Sequence, residues 1–339
     1  MTSVMVMMSG GVDSSVAAAL LRDAGYDVTG VTLRLWGGPS DSGCCSVSDV
    51  EDARRVAAQL GIPHYVFNFA DDFTAAVVDP YAAAYAVGTT PNPCVDCNRT
   101  MKWGRALDRA RALGFDAVAT GHHARLEPGP SGPVLRRSAD PAKDQSYVLA
   151  LIAADALAAT LLPIGGMTKA EVRDRARALG LRTAEKAESM DACFIERGGR
   201  EKFLGTRIER RPGPIVDTSG ATVGEHDGID RFTIGQRRGL GVAQGDRRFV
   251  VDLCAATATV TIGSREALLR DRLVVTDLVR RAAVPDEVLV QTRAHGAAVP
   301  ARLRGDEVVF GAPQPRVAPG QVVAFYDGDH CVAGAIAAA

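Results

Sequence analysis

Apolar and polar positions along the chain follow two different periods. Val4 to Met8 is a short apolar run stopped by Ser9-Gly10-Gly11, after which Val16, Ala17, Leu20 and Leu21 recur at helical spacing as far as Gly25. That pattern predicts strand, glycine turn, helix. Val28 to Leu33 predicts a second strand, Asp49 to Leu60 a helix closed by Gly61, His64 to Phe69 a third strand and Phe73 to Tyr85 another helix. Alternating strands and helices predict a doubly wound parallel sheet. A helix over 108–113, a strand over 117–120 and the capping box Thr168-Lys169-Ala170-Glu171, which opens a helix to Leu179, carry the α/β pattern to about residue 200.

Beyond that point the period shortens. Arg211-Pro212-Gly213-Pro214 and Asp217-Thr218-Ser219-Gly220 mark turns between β-rich pieces such as Phe249 to Leu253 and Thr257 to Ile262. From Leu273 onward, Val288 to Thr292, Val308 to Phe310 and Val322 to Tyr326, with Asp327-Gly328 turning the chain back through Cys331 to Ile336, predict antiparallel hairpins. The expected division is an α/β domain at 1–202, a small central domain at 203–265 and a C-terminal β-barrel at 266–339, and 339 residues suffice for that many cores.

No apolar run reaches the roughly 20 residues that span a bilayer, and no Lys or Arg precedes Val4, so no membrane helix and no signal peptide are expected and the location expected is cytoplasmic. Seven cysteines are too few and odd in number for a secreted disulfide framework, which directs attention to metal or redox chemistry. The net charge of −1 gives no sign of nucleic-acid binding, but the local distribution does: Arg197, Arg200, Lys202, Arg207, Arg210 and Arg211 form one basic group, and Arg231, Arg237, Arg238, Arg247 and Arg248 another. Ordinary solvated surface accounts for either group equally well.

Ser9-Gly10-Gly11-Val12-Asp13-Ser14-Ser15 sits where a strand feeds a helix, so backbone N–H groups and the helix N-terminus converge on an anion. The P-loop spacing with its lysine is absent, which argues against ordinary kinase or GTPase chemistry. The string resembles the signature of the N-type ATP pyrophosphatases, which activate a substrate as its adenylate. A proline-stiffened loop, Thr90-Pro91-Asn92-Pro93-Cys94-Val95-Asp96-Cys97-Asn98, holds a Cys-x-x-Cys, and Ser189-Met190-Asp191-Ala192-Cys193-Phe194-Ile195 presents a distant third cysteine. With Thr120-Gly121-His122-His123-Ala124-Arg125, Lys143-Asp144-Gln145-Ser146-Tyr147 and Phe232-Thr233-Ile234-Gly235-Gln236-Arg237-Arg238-Gly239-Leu240, these motifs resemble the tRNA-specific 2-thiouridylase family (MnmA/TrmU) over nearly the whole chain.

The resemblance implies that ATP, with Mg²⁺, adenylates the C2 oxygen of the wobble uridine in tRNAs for Lys, Glu and Gln. Sulfur then replaces that oxygen, supplied as a cysteine persulfide by a cysteine desulfurase or a sulfur-relay protein. It places Met7, Met8, Ser9, Gly10, Gly11, Val12, Asp13 and Ser14 at the ATP phosphates, and Leu33 and Gly121 at adenine and ribose. Cys97 matches the nucleophile and Cys193 the persulfide carrier, the two joined by a disulfide bond during turnover. Asn92, Pro93 and Cys94 match positions near the target base, and His122, Lys143, Asp144, Gln145, Arg293 and Gln321 match tRNA contacts. The family often has Asp where this chain has Cys94, and commonly an aromatic residue where it has Ala294, which follows Arg293 at the tRNA contact. Cys94, Cys97 and Cys193 are also three candidate ligands of a [4Fe–4S] cluster, or of zinc with His122 or His123 as the fourth. Cys44 and Cys45 fit a loop or core role better than shared chelation, and Cys254 and Cys331 fit small core positions. Two rivals stay open, a ligase adenylating a small molecule and a non-catalytic RNA-binding or Fe–S carrier protein.

Overall fold

Parallel pairing of β1 (Ser3–Met7), β2 (Asp27–Arg34), β3 (His64–Asn68) and β4 (Ala117–Ala119) builds most of the first sheet; β5 (Ala124–Glu127) and β6 (Val134–Arg137) form a separate hairpin, and β7 (Thr160–Leu161) completes the sheet in the order β3-β2-β1-β4-β7. The structure, a computed structural model, describes residues 1–36, 46–130, 132–187, 192–195, 198–242 and 247–338. Cys44, Cys45, Ser189, Met190, Asp191 and Arg197 lie outside the described residues.

Side chains of β1 alternate between two buried layers, as a strand covered on both faces requires. Val4 and Val6 join Val16, Ala53, Val56 and Val172 on the side of α1 (Val12–Asp23), α2 (Val47–Leu60) and the helix Lys169–Ala178. Met5 and Met7 face Phe73, Val77, Tyr81 and Met101, carried by the helical runs 70–86 and 93–112. The doubly wound sheet is therefore present. The capping box at Thr168 is complete, with Glu171 accepting from the Thr168 N–H at 2.7 Å.

One local expectation is corrected. The Cys-x-x-Cys stands on a helix, not a loop: Asn92 caps it by accepting from the Cys94 N–H at 3.1 Å, and Pro93 takes the first helical position. Asparagine followed by proline is a helix start, because proline lacks the N–H that the first turn leaves unpaired anyway. The helix continues from Cys97 to Ala106 with the wider π winding and ends at Ala112.

The middle of the chain forms a four-stranded sheet of β8 (Gly213–Asp217), β9 (Thr222–His226), β10 (Phe249–Cys254) and β11 (Thr259–Gly263), in the order β10-β11-β8-β9. Downstream, β12 (Leu269–Arg280), β13 (Val288–Gln291), β14 (Val299–Arg304), β15 (Glu307–Pro315), β16 (Val322–Asp327) and β17 (His330–Ala337) run antiparallel and close into a barrel where β12 pairs with β17. The β5–β6 hairpin, although early in the chain, pairs with the barrel: His330 on β17 is opposite Arg136, and Asp329 accepts from Arg125 and Arg136, each at 2.5 Å. Val322, Ala324, Tyr326 and Cys331 of the barrel belong to the same apolar cluster as Met5 and Met7. No helix among the described residues is long and apolar enough to cross a membrane.

Candidate functional site

The loop 8–11 leaves the carboxyl end of β1 beside that of β4, where the strand order changes direction and an open α/β sheet offers a crevice. Its shape is written by glycine. Gly10 sits at φ +73°, and a Cβ there would lie 2.2 Å from the Asp49 carbonyl oxygen of α2. Gly121, after β4, brings its backbone against the first turn of α1, where a Cβ would lie 2.5 Å from the Ser14 nitrogen. Ser9 and Ser14 fold over the turn: the Ser9 N–H donates to Ser14 Oγ at 3.2 Å, and Ser14 Oγ donates to the Gly11 carbonyl at 3.2 Å. Gly11 caps α1 without a side chain, so the first-turn N–H groups of Val12, Asp13 and Ser14 have no intrahelical acceptor and point out of the helix as anion donors.

Asp13 is drawn into this region by two residues whose roles the sequence reading did not assign. Lys169 Nζ donates to both its oxygens at 2.7 Å, and His123 Nε2 lies 3.3 Å from Oδ1. Burial pushes the Asp13 carboxyl up, but His123 and Lys169 outweigh it and hold the group below the usual carboxylate range. His123 is itself fixed by Gln145, whose Oε1 accepts from the His123 N–H at 2.8 Å. Asp144 is enclosed by its neighbours, accepting from Ser138 N, Ser146 N, Ser146 Oγ and Arg137 Nη1 at 2.8–3.0 Å. Lys143 lies in the same turn, its N–H on the Asp140 carbonyl at 3.1 Å.

Cys97 is buried in the first turns of its helix, while Cys94 is exposed. Met7, Leu33, Cys97 and Phe194 share one apolar cluster, with Cys193 packed against it. Phe194 anchors that segment, its ring set 5.3–6.1 Å from those of Trp36, Phe73, Tyr81 and Phe203. The apolar residue after the cysteine was the available signal for this anchor. One turn along the helix, Lys102 Nζ donates to Asn98 Oδ1 at 2.9 Å and stands 3.5 Å from His122 Nε2. His122 Nδ1 meets Thr120 Oγ1 at 2.7 Å, a pattern that assigns the ring proton to Nδ1. Burial, reinforced by Lys102, holds the His122 imidazole neutral, its pKa well below the ordinary histidine range.

The tRNA-contact candidates are therefore dispersed. His122 is buried beside Trp103, and Asp144 and Gln145 brace the turn beside the loop 8–11. Gln321 Nε2 donates to the Thr90 carbonyl, and the Thr90 N–H donates to the Pro319 carbonyl at 2.8 Å, so the barrel grips the stretch leading to Asn92. Arg293 and Ala294 lie in a barrel turn held by Gln291, whose Nε2 donates to both their carbonyls, and Arg293 approaches Gly235 of the central domain. Part of the basic surface is spent internally: Arg210 pairs with buried Asp230 at 2.9 Å, and Arg207 stacks 4.0 Å over Phe203.

The three cysteines do not come together as metal ligands among the described residues. Among the described residues no three of His, Cys, Asp and Glu gather as ligands, and Cys94 and Cys97 differ in exposure. A [4Fe–4S] cluster or a zinc ion on the three cysteines has no assembled donor set. Asp13 has both oxygens on Lys169, and each oxygen keeps a further lone pair that could face a cation. No disulfide joins the described cysteines.

Three family models match in succession: the tRNA methyl transferase HUP domain over residues 2–197, the tRNA methyl transferase PRC-barrel domain over 201–264 and the aminomethyltransferase beta-barrel domain over 271–337. A tRNA-specific 2-thiouridylase MnmA from Frankia alni is 50% identical, the match covering 98% of this chain and 97% of that protein. The MnmA of Mycolicibacterium paratuberculosis is 49% identical over 98% of each chain, and that of Roseiflexus castenholzii 47% over 97% of each. A solved 4-thiouridine synthetase–RNA complex with bound ATP is only distantly similar, at TM-score 0.36 and 16% identity over 61% of this chain and 50% of that one. With near-half identity sustained from end to end, the chain belongs to the tRNA-specific 2-thiouridylase MnmA family.

Proposed function

We propose that this protein is a cytoplasmic sulfurtransferase that converts the wobble uridine of tRNAs for Lys, Glu and Gln to 2-thiouridine, using ATP and a persulfide carried on Cys193. The observation that carries the reading is the apolar cluster that unites Met7 and Leu33, from the nucleotide side, with Cys97 and the Phe194 anchor of Cys193. An adenylate and a sulfur donor must meet before water reaches either, and apolar side chains common to both sides support that reading.

The uridine C2 oxygen attacks the α-phosphorus of ATP, and pyrophosphate leaves from the N–H groups of residues 10–14. The outer sulfur of the Cys193 persulfide attacks the activated C2 and AMP departs. The Cys97 thiolate then attacks the inner sulfur of Cys193, breaking the S–S bond, releasing 2-thiouridine and forming a transient Cys97–Cys193 disulfide. An external dithiol reduces that disulfide, and a cysteine desulfurase or a sulfur-relay protein reloads Cys193. Incubation with ATP, unmodified tRNA and a persulfide-loaded desulfurase should yield AMP and 2-thiouridine in equal amounts; ATP consumption without 2-thiouridine contradicts the reading.

A further inference from the structure

We propose that Lys186 is a positioning residue for the nucleotide: it fixes the Gly10–Gly11 peptide so that the Gly11 N–H faces the bound phosphates. The proposal rests on reading residues 9–14 as the phosphate site. Lys186 comes after the helix Lys169–Ala178, far from the loop in sequence, and its Nζ donates to the Gly10 carbonyl at 3.0 Å, to Asp49 Oδ1 at 2.6 Å and to Asp52 Oδ2 at 2.7 Å. Three acceptors use the full donor capacity of an ammonium group. The side chain is thus a strut, with no N–H left for a phosphate oxygen in this arrangement.

A trans peptide is planar, so its C=O and the following N–H point in opposite directions. Drawing the Gly10 carbonyl toward the carboxylates of α2 therefore turns the Gly11 N–H away from α2, to the side where the first-turn donors of α1 converge. Glycine at φ +73° needs such a hold more than other residues, because it populates several backbone conformations at little cost.

The strut is itself anchored. Arg173 donates to the carbonyls of Ala184 at 2.6 Å and Lys186 at 3.2 Å, and Arg182 pairs with Asp52 at 3.0 Å. Lys186 and Arg182 balance Asp49 and Asp52 in charge, so the strut presents no net negative charge to an incoming polyphosphate. Asp49 is further held by Ser46, whose Oγ donates to Oδ2 at 2.6 Å.

The test is equilibrium binding of α,β-methylene-ATP and of adenosine to the full chain and its variants. Lys186→Met should weaken binding of the ATP analogue about tenfold, the worth of one well-placed donor to a charged group, while adenosine, which lacks phosphates, changes less than about twofold. Lys186→Arg should recover most of the loss. Asp49→Asn should weaken the analogue in the same direction, because the strut loses an anchor. Unchanged analogue affinity in Lys186→Met overturns the proposal, as does an equal loss for adenosine, which would mark general disruption. Tighter analogue binding by Asp49→Asn also overturns it, by making Lys186 a direct phosphate ligand that Asp49 restrains. If the unmodified protein binds neither compound, the nucleotide reading itself fails.

Discussion

At the nucleotide end, the loop 8–11 is fixed by neighbours from its own domain: α2 beneath Gly10, Gly121 against α1, and Lys169 and His123 on Asp13. At the cysteine end, the helix start is local, through Asn92 and Pro93, but the stretch before it is gripped from elsewhere. Thr90 meets Pro319 and Gln321 of the barrel and, at 3.5 Å, Thr233 in a loop of the central domain. The nucleotide end is therefore self-contained, whereas the cysteine end is set by the other two domains. Positioning of Cys97, the thiolate proposed to attack the inner sulfur of Cys193, then depends on surfaces remote from the chemistry, and small displacements there would cost rate more than binding.

The largest effect should come from Gly10→Ala. A Cβ 2.2 Å from the Asp49 carbonyl, on a residue at φ +73°, forces the loop to move. ATP affinity should fall about 100-fold, the equivalent of the roughly 1–3 kcal/mol of backbone strain plus the clash, while tRNA affinity measured by filter binding stays within about twofold. Equal loss of both would show that the two ends are not separately held.

Gln321→Ala probes the other end. It should lower the rate of 2-thiouridine formation about tenfold with ATP affinity unchanged, because the Thr90 carbonyl loses its barrel partner and the Cys97 helix its register. A loss confined to tRNA affinity would make Gln321 a direct RNA contact, and the comparison between the ends would lose its main support.

The smallest effect is on stability. His122 is held neutral in the fold but takes up a proton in the unfolded chain as the pH drops below about 6.5. Its contribution is thus fully present above that value and declines as the pH falls, at no more than about 1.4 kcal/mol per pH unit. Thermal unfolding of the unmodified protein and of His122→Asn at pH 7.5 and 5.5 should show the Tm of the former falling more steeply. Parallel curves would place a charged or solvated imidazole at this position.

The alternation of strands and helices and the glycine string made the first sheet and the glycine turn after β1 legible, because both are set by neighbours in sequence. What escaped depends on long-range contacts. Lys169 was visible only as part of a capping box, and nothing local indicates that its ammonium reaches Asp13. The β5–β6 hairpin looked like part of the α/β region, yet it pairs with a strand nearly 200 residues later. His122 and Gln321 match RNA contacts by resemblance; nothing local indicates that His122 joins a buried chain with Lys102 and Asn98 or that Gln321 braces Thr90. Asn92-Pro93 was legible in principle as a helix start, but the prolines around it favoured a loop.

In the proposed reaction activation and sulfur delivery are separate tasks, performed by the loop 9–14 and by Cys97 with Cys193. The direct measurement follows tRNA-dependent pyrophosphate–ATP exchange and 2-thiouridine yield side by side in the unmodified protein, Cys97→Ser, Cys193→Ser and Cys94→Ser. Exchange is expected in all four and 2-thiouridine only from the unmodified protein and Cys94→Ser. Full thiolation by Cys97→Ser or Cys193→Ser, or loss of exchange together with thiolation in all three variants, would contradict the proposed reaction.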